Sequence, residues 1–205
     1  MSLHPRQLSE IRRIGGRPSL DFVNTIHERH VQLLEDYLCG DQRYVEWAMT
    51  AGLLDRSEAL RVGELKVFPA NLMSEVRHLR HGLYEIFKAR ALGYAADTAA
   101  IDVLDRWVQR GWRASQVVNV GSQIQLVWRA DAVDIWLPLK RIALDALEVV
   151  RSIPRERIKE CASTSGCGWL FLDDTKNNSR RWCSMDTCGT PEKMRRYRGS
   201  SKAGS

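Results

Sequence analysis

The chain has 205 residues, 44% of them apolar and 27% charged, with a formal net charge of +6. That composition suits one ordinary globular domain plus a smaller module, and it excludes collagenous, mucin-like and wholly disordered chains. No apolar stretch approaches the ~18 residues of a spanning helix, and Arg12 and Arg13 stand where a signal peptide needs its apolar segment, so a cytoplasmic protein with no membrane partner is expected.

After the breakers Gly15, Gly16 and Pro18, residues 19–25 read as a short strand or a helix start, which periodicity does not separate. Their polar members Asp21, Asn24 and Thr25 suit capping or turn formation, with a ligand pocket as the alternative. Cys39 reads as a small buried residue. Residues 41–54 set Tyr44, Val45, Trp47, Ala48 and Ala51 at helical spacing behind Asp41 as N-cap. Over residues 71–92 the apolar positions Leu72, Val76, Leu79, Leu83 and Ile86 advance in steps of three and four, one face of a 3.6-residue repeat. A third helix is expected over 98–110, with Ile101, Leu104 and Val108 on one face and Gly111 as the terminating residue. The period then changes to two. Ile124, Leu126 and Trp128, followed by Val133, Ile135 and Leu137, predict a small antiparallel sheet with turns near Gly121 and Asp131. A last helix over 139–152 stops at Pro154.

The fold class is therefore α+β: a mainly helical N-terminal domain with a small antiparallel β-sheet over residues 1–154, a small module over 155–198, and a tail over 199–205 expected to be disordered. Cutting at Pro154 also separates the charge. Residues 155–205 hold eleven bases and six acids, a net +5, which leaves +1 for the first 154 residues.

The cysteines divide in the same way: Cys39 stands alone, while Cys161, Cys167, Cys183 and Cys188 fall within 28 residues. In a reducing compartment such a cluster reads as metal ligands or catalytic groups before disulfides. Four soft thiolates suit a closed tetrahedral Zn2+ site, and the histidines (His4, His27, His30, His78, His81) all lie in the first domain. The competing reading has reduced cysteines filling a small core. A module of ~40 residues, however, rarely buries enough surface to fold without a staple. One structural zinc would supply ~10–16 kcal/mol of folding free energy, with no open coordination position for hydrolysis. Four thiolates and Zn2+ together carry −2, which lowers the module from +5 to +3.

After Cys188, Thr190-Pro191-Glu192 is a helix start, and the helix beyond it displays Lys193, Arg195, Arg196 and Arg198. Arg180 and Arg181 precede Trp182. These six cations, interleaved with Trp169, Phe171, Trp182 and Tyr197, suit phosphate contacts and base stacking. A solvated C-terminal face and an aromatic module core are the alternatives. His27-x-x-His30 and His78-x-x-His81 are possible metal pairs without a supporting carboxylate or cysteine. Glycine-rich nucleotide loops, Gly-x-Ser-x-Gly and His-Glu-x-x-His are absent, so an enzyme is not expected.

Cys167-Gly168-Trp169-Leu170-Phe171-Leu172-Asp173, Ser179-Arg180-Arg181-Trp182-Cys183-Ser184-Met185 and Cys188-Gly189 resemble the CGNR-type zinc finger of bacteria. The run from Gly15 to Thr25 and the segment from Trp47 to Leu54 resemble its usual N-terminal companion, the ABATE domain. The resemblance implies a stress-related transcription regulator, with RNA binding also suggested for the family. The sequence departs from the family pattern at Cys188-Gly189-Thr190-Pro191, where Asn-Arg would follow Cys-Gly, and in its wide first cysteine pair. The reading is a regulator that binds nucleic acid, DNA before RNA, through the finger, with an N-terminal domain for ligand sensing or homodimerisation. A finger used for protein interaction is the alternative.

Overall fold

A computed structural model describes residues 8, 11–27, 35–64 and 67–202. Its organising element is α4 (Leu72–Leu92), whose Leu72, Val76, Leu79, Leu83, Ile86 and Phe87 are buried, as the repeat predicts. Gly93 ends it in the left-handed region, at φ 82°, and its N–H bonds back to Ala89 O, a conformation that glycine adopts without penalty. α5 (Thr98–Arg113) starts at Asp97, whose carboxylate accepts from Ala99 N at 2.7 Å. α6 (Leu137–Ser152) and α5 pack against each other and against α4, and α1 (Pro18–Val23) closes the group against α4 and α6. The segment that periodicity left undecided is thus a helix, with Leu20, Phe22 and Val23 fully buried.

α2 (Asp41–Thr50) starts one residue earlier than an Asp41 cap would require, because Gly40 is the N-cap. It sends Tyr44 and Trp47 into the core. α3 (Arg56–Gly63) follows a complete capping box between Asp55 and Glu58, and Arg141 of α6 grips both Glu58 oxygens at 2.7 Å. Cys39 is exposed, contrary to the expectation of burial.

Three two-stranded antiparallel sheets complete the described residues. β1 (Ile26–His27) pairs with β2 (Glu35–Asp36). Asp36 takes a bidentate pair from the buried Arg80 of α4 at 2.7 and 2.6 Å, and Arg80 also donates to Thr25 Oγ1. The second sheet corrects the expected pairing. β4 (Gln123–Trp128) pairs with the preceding segment β3 (Ser115–Val120) across the Gly121 turn, not with residues 133–137. Those residues form a short turn into α6, where Ile135 and Leu137 meet the core. Alternation misread them because a helix entry can also bury every second residue over so short a span. Gly111 lies inside α5, not beyond it: an added Cβ would come within 2.9 Å of Leu144 Cγ, so the glycine permits close packing of α5 on α6.

β5 (Ile158–Glu160) and β6 (Leu170–Leu172) form the third sheet, in register Ile158 with Leu172 and Glu160 with Leu170. β5 packs on α4 and β6 on α1, and Ile158, Leu170 and Phe171 join the same buried core as Leu20 and Leu83. One apolar core therefore crosses Pro154. α7 (Thr190–Lys202) runs through Gly199–Lys202 of the tail expected to be disordered; residues 203–205, like His4 and His30, lie outside the described residues.

Candidate metal centre and nucleic-acid interface

The metal centre is built from two loops. β5 delivers Cys161, whose N–H bonds Trp169 O at 2.8 Å and so closes the first loop around Cys167. Gly166 and Gly168 flank Cys167 at φ 87° and 64°, left-handed positions that turn the chain back within two residues. The second loop is held against the first by Ala162 N to Arg181 O at 2.9 Å and by Cys183 N to Cys161 Sγ at 3.4 Å. Ser184 then caps the turn Met185–Gly189, and Cys188 N bonds Ser184 O. Gly189 lets the Met185 side chain lie over the turn: a Cβ there would lie 2.6 Å from Met185 Sδ and would displace it.

All four Sγ atoms of Cys161, Cys167, Cys183 and Cys188 lie within 4.8 Å of one another, and all four residues are buried. Cys167 and Cys183 stand 3.7 Å apart, Cys183 and Cys188 3.6 Å. Tetrahedral Zn–S bonds of ~2.3 Å require sulfurs ~3.8 Å apart, so the cluster has the dimensions of a zinc site. The thiols also compete for protons. Hydrogen bonding with Cys161, Cys167 and Cys188, aided by burial, drives Cys183 far above the ordinary thiol range, whereas hydrogen bonds from Cys161, Cys167 and Cys183 drive Cys188 far below it. A divalent cation lets all four ionise together. The four cysteines form a zinc-binding site, and one structural zinc fits it.

The cations predicted for phosphate contact fall into two groups. Arg180 is built into the finger: its guanidinium donates to Trp182 O at 3.1 Å, Leu172 O at 3.2 Å and Cys183 O, and it stacks on Phe171 at 4.4 Å. Lys159 is likewise internal, bonded to Asp173 at 2.6 Å. Burial opposes ionisation of Asp173, but bonds from Lys159, Thr175 and the Arg180 backbone outweigh it and hold the carboxyl well below its usual range.

The other cations are exposed. Arg181 lies 5.4 Å from the Trp182 ring centroid and Lys193 of α7 lies 5.8 Å from it, so one indole gathers a loop cation and a helix cation. Arg195 pairs with Glu192 at 2.9 Å and reaches Thr164 Oγ1. Hydrogen bonds from the Thr164 hydroxyl and backbone hold Glu192 below the usual carboxylate range. This anchor ties α7 to the first cysteine loop, and Arg196 and Arg198 follow on the same exposed helix.

Asp21, Asn24 and Thr25 are structural. Asp21 accepts from Gly15 N at 2.8 Å, and Thr25 bonds Phe22 O. Asn24 makes a contact that sequence reasoning missed: its Nδ2 donates to Leu170 O at 2.8 Å and its Oδ1 accepts from Leu170 N at 2.9 Å, so its amide serves as a further strand partner for β6. Trp169 Nε1 donates to Ile26 O, and Leu172 N to Gly15 O, both at 2.9 Å. The finger is thus joined to the segment 15–26 through Trp169, Leu170 and Leu172. A cluster of small and polar residues flanked by breakers hints at such a platform, but nothing local names its partner 146 positions away. His78 and His81 border a cavity with Glu85 and Asp97, yet among the described residues only the cysteine cluster brings three or more possible metal-ligand atoms together.

No curated protein matches the chain. Residues 157–199 match the CGNR zinc finger. Residues 16–153 match the ABATE family, described as "Putative stress-induced transcription regulator". With two thirds of its length inside that match and the four-cysteine site inside the other, the chain belongs to the ABATE family and carries a CGNR zinc finger.

Proposed function

We propose that the protein is a cytoplasmic transcription regulator that binds nucleic acid, duplex DNA in preference to RNA, through the outer face of its finger. The observation that carries this reading is the convergence of Arg181 and Lys193 on Trp182, beside a helix that displays Arg195, Arg196 and Arg198 and is anchored to the zinc loops through Glu192. The zinc supplies rigidity and the exposed cations supply phosphate contacts. Arg180, spent on carbonyls, acts as framework in this reading. Residues 155–198 do the binding, and residues 1–154 position it by dimerisation or respond to a ligand.

With four to five phosphates neutralised, log K should fall with log salt at a slope of about −4 on duplex DNA. A salt titration of the zinc-loaded chain on duplex DNA, single strands and RNA tests the reading. Absence of binding to every nucleic acid at low salt would refute it and favour a protein-interaction role. Tighter binding to RNA than to duplex DNA would reverse the preference.

One short helix gives weak affinity, so a dimer is part of the proposal. The hairpin β3–β4 supports it. Its residues 115–128 include no charged side chain, and Val117, Ile124 and Leu126, which the register places on one face, are exposed. Two copies of an uncharged apolar face meet without like-charge repulsion.

A further inference from the structure

A cavity of about 290 Å3 opens between the end of α4, the start of α5 and the end of α6. Its walls are apolar: Ile86 and Leu104 are buried behind it, and Tyr94 and Ile101 stand at it 54% and 44% exposed. Exposed aromatic and branched side chains beside a concave surface mark a place where an apolar body is received.

The charged groups of the cavity are both of one sign. Arg90 and Arg155 line it, and among the described residues no acidic one does. Arg90 spends Nη2 on Ile153 O at 2.7 Å, but its buried Nε has no hydrogen-bond partner among the described residues. A buried guanidinium N–H without an acceptor is costly, and a carboxylate is the acceptor that would repay it best. The Arg155 guanidinium has no hydrogen-bond or ion-pair partner among the described residues. It rests against Gly93, where a Cβ would come within 2.7 Å of Nη1.

We propose that this cavity binds a small organic acid: an apolar ring or chain of roughly ten to fifteen heavy atoms packed between α4, α5 and α6, with its carboxylate between Arg90 and Arg155. Asp21, Asn24 and Thr25, the sequence candidates for a ligand pocket, are occupied by internal bonds, whereas these two arginines are not fully used. The site also lies where a ligand matters. Ile153 and Arg155 bracket Pro154, and the turn Arg155–Arg157 leads directly into β5 of the finger, so a bound carboxylate ties the end of α4 to the segment that enters the finger.

The test is isothermal titration of the zinc-loaded full chain with indole-3-acetate and octanoate, each beside its amide, and with acetate alone. At least one of the two acids is expected to bind, with its amide and acetate at least about tenfold weaker, since the amide lacks the charge and acetate lacks the body. Arg155→Ala should weaken the acid about tenfold, and Ile101→Glu, which sets a carboxylate at the mouth, should abolish binding. Both positions are exposed, and retained zinc content and circular dichroism show that each variant is folded. Lack of binding by both acids overturns the proposal, as does equal affinity for acid and amide, or an acid affinity unchanged in both variants. Nucleic acid is absent from the experiment, so its outcome is independent of the finger's function.

Discussion

Replacing Asn24 with alanine removes the side chain that pairs with both backbone groups of Leu170. Its two bonds, 2.8 and 2.9 Å long, lie where Asn24 and Leu170 are both buried. Each buried backbone group stranded without a partner costs about 1–3 kcal/mol, so roughly 4 kcal/mol of destabilisation is expected, a large share of a typical domain's stability. The loss should also be shared. Leu170 and Phe171 belong to the core that contains Leu20 and Leu83, so the finger and the helices should lose stability together. Urea titration of the zinc-loaded protein, followed in parallel by helical circular dichroism and by zinc release to a colorimetric chelator, reads both halves. Coincident midpoints, both shifted to lower urea, are expected. A destabilisation under 1 kcal/mol, or zinc release at a midpoint well below helix loss, would refute the argument that the finger is joined to segment 15–26 as one cooperative unit.

The adjacent arginines should separate cleanly: Arg180→Ala should cost about 2–4 kcal/mol in urea titrations through four carbonyls left without their donor, whereas Arg181→Ala should leave stability unchanged and reduce the DNA salt slope by about 1. Burial, opposed by the Gly15 N–H bond, raises Asp21 from 3.8 to about 6, so the fold favours its protonated form. The associated stability is present below pH 4 and is lost as pH rises to about 6. Asp21→Asn should therefore stabilise the protein at pH 7 by at most about 3 kcal/mol and by nothing near pH 4, and equal melting shifts at both values would contradict this. Elemental analysis is expected to give one zinc per chain; Cys183→Ser should abolish it and lower the helical melting transition as well, because unfolding the finger uncovers α1 and α4. Ile124→Asp, at a position 77% exposed, should leave folding intact and turn the proposed dimer into a monomer by light scattering.

The elements legible in the sequence were those whose own periodicity buries a face. α4 is the clearest case, because Leu72, Val76, Leu79, Leu83 and Ile86, the positions of its repeat, are all buried, with Arg80 the one charged residue among its buried positions. The cysteine spacing was equally plain, since a metal site needs its ligands and very little else. Misreadings came where one local pattern serves two environments. Gly111 looks like a terminator, but the close approach of Leu144 puts it inside a helix. Val133, Ile135 and Leu137 alternate like a strand yet enter α6, while β3, with its apolar residues largely exposed, gave no alternation to detect. Asn24 and Arg180 were beyond reach for a different reason: each is defined by backbone groups, of Leu170 for Asn24 and of its own loop and β6 for Arg180, and backbone groups leave no trace in composition.

Arg180 and Arg181 show why charge counted along a chain overstates charge presented to a partner. The finger segment carries eleven bases, but Arg180 solvates carbonyls around the second cysteine loop, Lys159 is neutralised by Asp173, and Arg157 donates to Asp173 O and Thr175 O. Those internal cations hold the loops that position the thiolates, and the −2 of the loaded zinc site offsets them further. A polyanion meets only what remains outside, and there the geometry is favourable: Lys193 and Arg181 share one indole, and α7 extends its arginines from a base fixed by Glu192. If affinity followed the segment's total charge, Arg180→Ala and Arg181→Ala would weaken DNA binding equally in protein that remains folded. If it follows exposed charge, only the second changes the salt slope, and a slope unchanged by Arg181→Ala would refute the proposed nucleic-acid face at Trp182.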